Sequence, residues 1–213
     1  MKGMLLERGY MIPTLQFGPD DVFLYEDWEE SPVGPYRALF HYSPEDFRTL
    51  YAEPEAGMEF VSGVHRFDRK VPSRIRATWE PGRLRVEVRS EEALYQLEVG
   101  FRETPLLKLL NPLVSMAPAF LSLNPLFQKA APRMLAPLLG TDPDQRLGGV
   151  TEMGRTTVFR IMRVWLVTGG SCKRDGRDLG KLTECCYRHD MGDFRPISRP
   201  MMTKLELFIG LGR

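Results

Sequence analysis

The side chains able to do chemistry fall into a few short stretches. The segment RHDMGDF (188–194) places His189, Asp190 and Asp193 together, and histidine–carboxylate sets can carry out acid–base work. Gly192 and the following Pro196 make it a loop, which predicts solvated charges rather than a catalytic dyad. His41 and His65 are the remaining histidines. Cys185, Cys186 and His189 are close in sequence, but no CxxC spacing accompanies them, so no metal is expected. The stretch DGRDLG (175–180) lacks the further ligands of a calcium loop and reads as a turn tipped by Gly176. There is no GxSxG elbow, no GxxxxGK[ST] phosphate loop and no GxGxxG, so no cofactor is implied.

The bulk properties narrow the classes further. The chain has 213 residues, with 29 basic and 28 acidic side chains and a formal charge of +1. So balanced a chain has no overall pull toward nucleic acid or an anionic membrane, which leaves only local patches. Arg74, Arg76, Arg83, Arg85 and Arg89 form a basic stripe, yet Glu80 and Glu87 interrupt it, which fits a solvated face better than a nucleic-acid surface. The three cysteines are odd in number and two are adjacent, which argues for reduced thiols and a cytoplasmic setting. Glu7 and Arg8 interrupt the apolar start of the chain, so it does not read as a secretory signal.

Most of the chain alternates with period two. VFLYEDW (22–28), YRALFHY (36–42), SRIRATWE (73–80), RLRVEVR (83–89), LYQLEVGF (94–101) and TKLELFIG (203–210) read as strands. Pro81 and Gly82 form the turn of a hairpin between the third and fourth of these. TTVFRIMRVWLVT (156–168) is apolar on both faces and reads as a central strand, followed by a turn at RDGRD and a further strand. Residues 105–140 differ: prolines at 105, 112, 118, 125, 132 and 137 predict short helices and exclude a long one. The pattern predicts a single α+β domain over 1–213, with about seven to nine strands in a mostly antiparallel, strongly curved sheet or cone-like β-barrel. A block of short helices is inserted at about 105–140.

SPVGPYRAL (31–39) is similar to the GPYxE segment of the acetoacetate decarboxylase-like superfamily. HRFDRKVPSRI (65–75) follows where that family carries GRExxGxPKxL, with Arg66, Pro72 and Ile75 matching, and the likeness spans roughly 22–90. The resemblance implies a cone-like barrel around a water-poor pocket, in which a lysine forms a Schiff base with a β-keto acid. Two positions depart from it: Ala38 stands at the glutamate and Ser73 at the lysine, followed by Arg74. A hydroxyl cannot form an imine and arginine stays protonated, so the resemblance implies the fold without that chemistry. Lys70, an odd number of residues from Ser73, is expected on the opposite face. Lys173 is expected beside a turn and solvated.

Alternation puts Ala38 with Tyr36 and Phe40, and Ser73 with Ile75, Ala77 and Trp79, which predicts that both substituted positions point into one apolar interior. Tyr36, Ala38, Arg66, Ser73, Trp79 and Arg160 are therefore the candidate pocket residues, with an arginine favouring a carboxylate ligand. Three readings stand. One is a protein or divergent enzyme that binds a small apolar or carboxylate molecule. The second uses the apolar segment 105–140 to meet a membrane, a partner or a second copy of the chain. The third is an enzyme built on His41, His65 or His189 beside a carboxylate.

Overall fold

A computed structural model describes residues 3–43, 45–186 and 190–211. In chain order the elements are β1 (Met4–Phe17), β2 (Asp21–Glu30), β3 (Tyr36–Tyr42), β4 (Arg48–Glu53), α1 (Glu55–Ser62), β5 (Arg69–Pro72), β6 (Arg74–Glu80), β7 (Arg83–Arg89) and β8 (Leu94–Arg102). They continue with α2 (Pro105–Met116), α3 (Ala119–Ser122), α4 (Pro125–Leu139), β9 (Gly148–Val150), β10 (Thr156–Arg174), β11 (Arg177–Thr183) and β12 (Met201–Gly210). The architecture is α+β, and each expected strand segment falls in a strand, except that Ser73 lies just before β6.

One sheet of twelve strands is formed by the described residues, in the order β5-β4-β3-β2-β1-β11-β10-β8-β7-β6, with β12 bridging β1 and β10 and β9 pairing β10. All pairs are antiparallel except β4–β5. The two end strands, β5 and β6, are joined by the single residue Ser73. The sheet therefore curves until its ends meet, and Ser73 N–H donates to the carbonyl of Ala52 on β4 at 3.2 Å. Turn chemistry sets the hairpins: Gly82 (φ +74°) follows Pro81 between β6 and β7, and Asp175 with Gly176 (φ 52° and 81°) closes β10–β11.

Apolar side chains cover both faces of the sheet and make two clusters. The first gathers Trp28, Tyr36, Ala38, Phe40, Ala52, Phe159, Phe194 and Leu205, with α1 and α2 packed against it through Met58, Val61 and Leu107. The second gathers Phe17, Phe23, Tyr25, Leu39, Tyr51, Val71, Ile75, Val86, Tyr95 and Leu97.

Three local readings are corrected. The period-two alternation does not run unbroken between the segments 36–42 and 73–80, since α1 interrupts it after Pro54. The apolar start interrupted by Glu7 and Arg8 is β1, paired with β2, β11 and β12. The helix block opens near prolines as expected, with Pro105 and Pro125 in the first turns behind the caps Thr104 and Asn124. Even so, α4 runs fifteen residues through Pro132 and Pro137, and α2 runs through Pro112. The residues four positions earlier, whose carbonyls lose a donor, are Lys108, Gln128 and Arg133, all exposed or half-buried. Water can satisfy what the prolines leave.

Candidate functional site

Two features of the first cluster could do chemistry. One is a set of buried acids. Glu7 on β1 and Glu26 on β2 share their strands' inward faces with Leu5 and Met11 and with Leu24 and Trp28. Glu7 Oε1 accepts from the Tyr36 hydroxyl at 2.6 Å. Glu26 Oε2 accepts from Trp28 Nε1 at 3.0 Å. Burial pushes the Glu7 carboxyl up to about 8, with the Tyr36 bond opposing and the neighbouring Glu26 adding to the rise. Burial likewise pushes Glu26 up to about 7, opposed by the Trp28 bond and reinforced by Asp193.

Local sequence explains the geometry. Gly9 allows the bulge that brings β1 against β2, because a Cβ there would lie 2.2 Å from the Asp27 carbonyl oxygen. Gly57 lets α1 sit directly on the side chain of Tyr36, where a Cβ would come within 2.6 Å.

Asp193 joins the same interior. Its Oδ2 accepts from the Thr157 hydroxyl at 2.6 Å, and its Oδ1 stands 4.0 Å from His65 Nδ1. Both of the latter atoms are buried and without a hydrogen-bond partner among the described residues. Burial holds the His65 pKa below its ordinary value against the pull of Asp193. The expectation of solvated charges in 188–194 is thus corrected at Asp193, which is fully buried. Gly192 (φ +90°) presses the loop against β9, where a Cβ would sit 2.1 Å from the Val150 carbonyl oxygen, and this turns the next residue inward. Asp190 stays outside and pairs with Arg146 and Arg195. His189, and with it the Cys185–Cys186–His189 grouping, lies outside the described residues. His41 is within reach of a carboxylate, 2.8 Å from Asp21, and stacks on Phe23 at 4.8 Å.

The second feature is a cavity of about 180 Å³ between the helix block and strands β10 and β12. Val114, Ala131, Leu135, Phe159, Met201 and Leu205 are among its walls, and polar lining comes chiefly from Thr141, Gln145 and Arg146. Asn111 ties α2 over this cavity: its side-chain amide accepts from Val164 N–H at 2.9 Å and donates to the Val164 carbonyl at 3.0 Å. A separate open groove of about 620 Å³ runs along α2 past Arg8, Lys108, Arg163 and Lys204, with Glu103 and Glu206 opposite in charge.

The six sequence candidates do not converge. Tyr36 and Ala38 are together in the first cluster. Ser73 lies at the seam between Val71 and Ile75, both of the second cluster, and its hydroxyl donates to the Val71 carbonyl. The expectation that Ala38 and Ser73 share one interior is corrected. Ala38 is on β3 and Ser73 links β5 to β6, with β4 between them, and the residues flanking Ser73, Val71 and Ile75, pack in the other cluster from Ala38. Trp79 is 38% exposed, packs on Tyr10 at 4.7 Å and donates to Asp27 Oδ2 at 3.1 Å. Arg66 is exposed. Arg160 reaches Glu206 at 2.7 Å and the carbonyl of Ala117 at 2.7 Å, so its charge is matched and it braces the α2–α3 link. Lys70 pairs with Glu59 at the surface, and Lys173 is exposed. In the basic stripe Arg83 and Arg85 pair with Glu98, and Arg85 also with Glu80.

No family model matches the chain, and no curated protein does. Solved structures do. The chain is similar in fold to acetoacetate decarboxylases. The enzyme from Legionella pneumophila matches with a TM-score of 0.45 and 11% identity, over 99% of this chain and 85% of that one. A second acetoacetate decarboxylase matches at 0.46 and 9%, over 99% and 88%. The enduracididine biosynthesis enzyme MppR, in complex with pyruvate, matches at 0.38 and 9%, over 99% and 88%.

Sequence reasoning missed Glu7, Glu26 and Asn111, while His65 and Asp193 were singled out but not paired with each other. For Glu26 the signal was available, since in VFLYEDW it has the parity of Val22, Leu24 and Trp28.

Proposed function

We propose that the chain binds a small, mainly apolar molecule in the cavity beneath the helix block, on a divergent decarboxylase-like fold that lacks the imine-forming lysine. The reading takes the curved sheet, whose ends meet at Ser73, as a cone-like barrel. One observation carries the reading: a cavity lined by apolar side chains from β1, α2, α4, β10 and β12, with Thr141, Gln145 and Arg146 of one stretch joined by Ser122 and Thr203 as its polar groups. Such a lining suits an apolar body with one carboxylate or carbonyl head. Arg146, half-exposed and sharing Asp190 with Arg195, is the group best suited to a carboxylate.

A second reading, a divergent enzyme, is favoured by the raised carboxyl pKa values of Glu7 and Glu26, because groups titrating near neutrality suit proton transfer. In it these two acids move protons, and Tyr36 and Trp28 hold them in place.

Calorimetric titration with octanoate tests the first reading. Saturable binding of one molecule per chain is expected, and Val114→Trp, which fills the cavity, weakens it by at least about tenfold. Equal binding by a folded Val114→Trp variant, or no saturable binding at all, would sink it.

A further inference from the structure

The helix block turns unusual side chains toward solvent. Leu109, Leu113, Met116, Phe120, Leu126 and Met134 are 63–80% exposed. The remaining exposed large apolar residues are scattered singly over strands and loops from Val33 to Leu211. On α2, Leu109, Leu113 and Met116 follow the i, i+4, i+7 spacing of one helical stripe, and on α4 Leu126 and Met134 lie two turns apart on one side. These positions are not core residues that failed to pack. Leu107 and Asn111 take the inward side of α2, while Ala131, Pro132 and Ala136 are buried on α4.

Charge distinguishes among occupants. Between residues 104 and 141 the chain carries Lys108, Lys129 and Arg133 and no acidic residue, in a molecule whose net charge as a whole is only +1. All three cations are exposed on the same helices as the apolar stripe. A second copy docked face to face would place like charges around the rim, because a two-fold contact is self-complementary. An anionic lipid surface meets both features: apolar side chains enter the acyl boundary and the cations meet headgroup phosphates. No helix among the described residues is long and apolar enough to cross a membrane, and the short, proline-opened helices suit a position in the plane of the interface.

We infer that the outer face of α2–α4 docks on an anionic lipid bilayer. The inference does not depend on the cavity being occupied. The test is sedimentation of the full chain with phosphatidylcholine vesicles, with and without phosphatidylglycerol. Binding is expected to require the anionic lipid and to fall as salt is raised. Leu113→Glu with Leu126→Glu, both at exposed positions, lowers the bound fraction at least about tenfold while the circular dichroism melt is unchanged. Lys108→Gln, Lys129→Gln and Arg133→Gln together remove the preference for anionic lipid. Wild-type protein that stays in the supernatant with anionic vesicles overturns the inference, as does a folded double-glutamate variant that binds like wild type. A wild-type dimer that the glutamates dissociate, with no vesicle binding, assigns the face to a second copy instead.

Discussion

Glu26 on β2 stands directly opposite Ala38 on β3, and Ala38 in turn faces Ala52 on β4. Two methyl side chains in a row leave room for a buried carboxyl on the neighbouring strand. The carboxyl of Glu26 accepts from Trp28 Nε1 at 3.0 Å. Ala38→Leu puts three more carbons into that space. Overpacking of this kind costs about 1–3 kcal/mol, so the urea midpoint should fall with the slope unchanged.

The buried acids tie stability to pH. Glu7 and Glu26 hold protons more tightly folded than unfolded, so their contribution is complete below the ordinary value of 4.5 and is lost as pH rises through about 7 and 8. His65 acts in the opposite sense on the acid side, since its depressed pKa loses stability as pH falls through 6.5. Comparing wild type with Glu7→Gln cancels the histidine term. The variant should gain on wild type between about pH 5 and pH 9, by on the order of a few kcal/mol, in urea midpoints measured across the range. A gap independent of pH would show that Glu7 ionises freely.

Gly57→Ala should strike the same group from outside. The added methyl meets the Tyr36 Cβ at 2.6 Å and its ring Cγ at 2.7 Å, and that side chain is fixed by its hydroxyl on Glu7. A loss of about 1–3 kcal/mol is expected, despite the higher helix propensity of alanine.

Asn111→Ala removes both bonds to the backbone of Val164 on β10. Unsatisfied buried amides cost about 1–3 kcal/mol. Hydrogen exchange should speed up at Val164 and along α2, and protease should cut earlier within 105–140.

Strand assignments from 22–28 to 203–210 were legible because alternation reports a face directly, and the hairpin turns were legible because Gly82 and Gly176 need positive φ. What alternation does not report is which face of a doubly buried sheet a strand presents to which neighbour. Ala38 and Ser73 show this: each was placed on an apolar side, but the sheet has two apolar sides. β1 was hidden by Glu7 and Arg8, a pair in which Glu7 is buried through a tyrosine that lies 29 positions later. Asn111 and Asp193 could not have been read locally, because their partners Val164 and Thr157 are distant in sequence.

The central claim is that a small apolar molecule occupies the cavity under the helices. Met11 and Met201 line that cavity, while Met58 and Met202 are buried elsewhere and Met116 is on the outer ridge. Methyl resonances of labelled methionine during titration with octanoate separate these sites in one experiment. The account predicts saturable shifts at Met11 and Met201, with Met58, Met202 and Met116 unmoved. Shifts confined to Met116, or no saturable shift at Met11 and Met201, would contradict it.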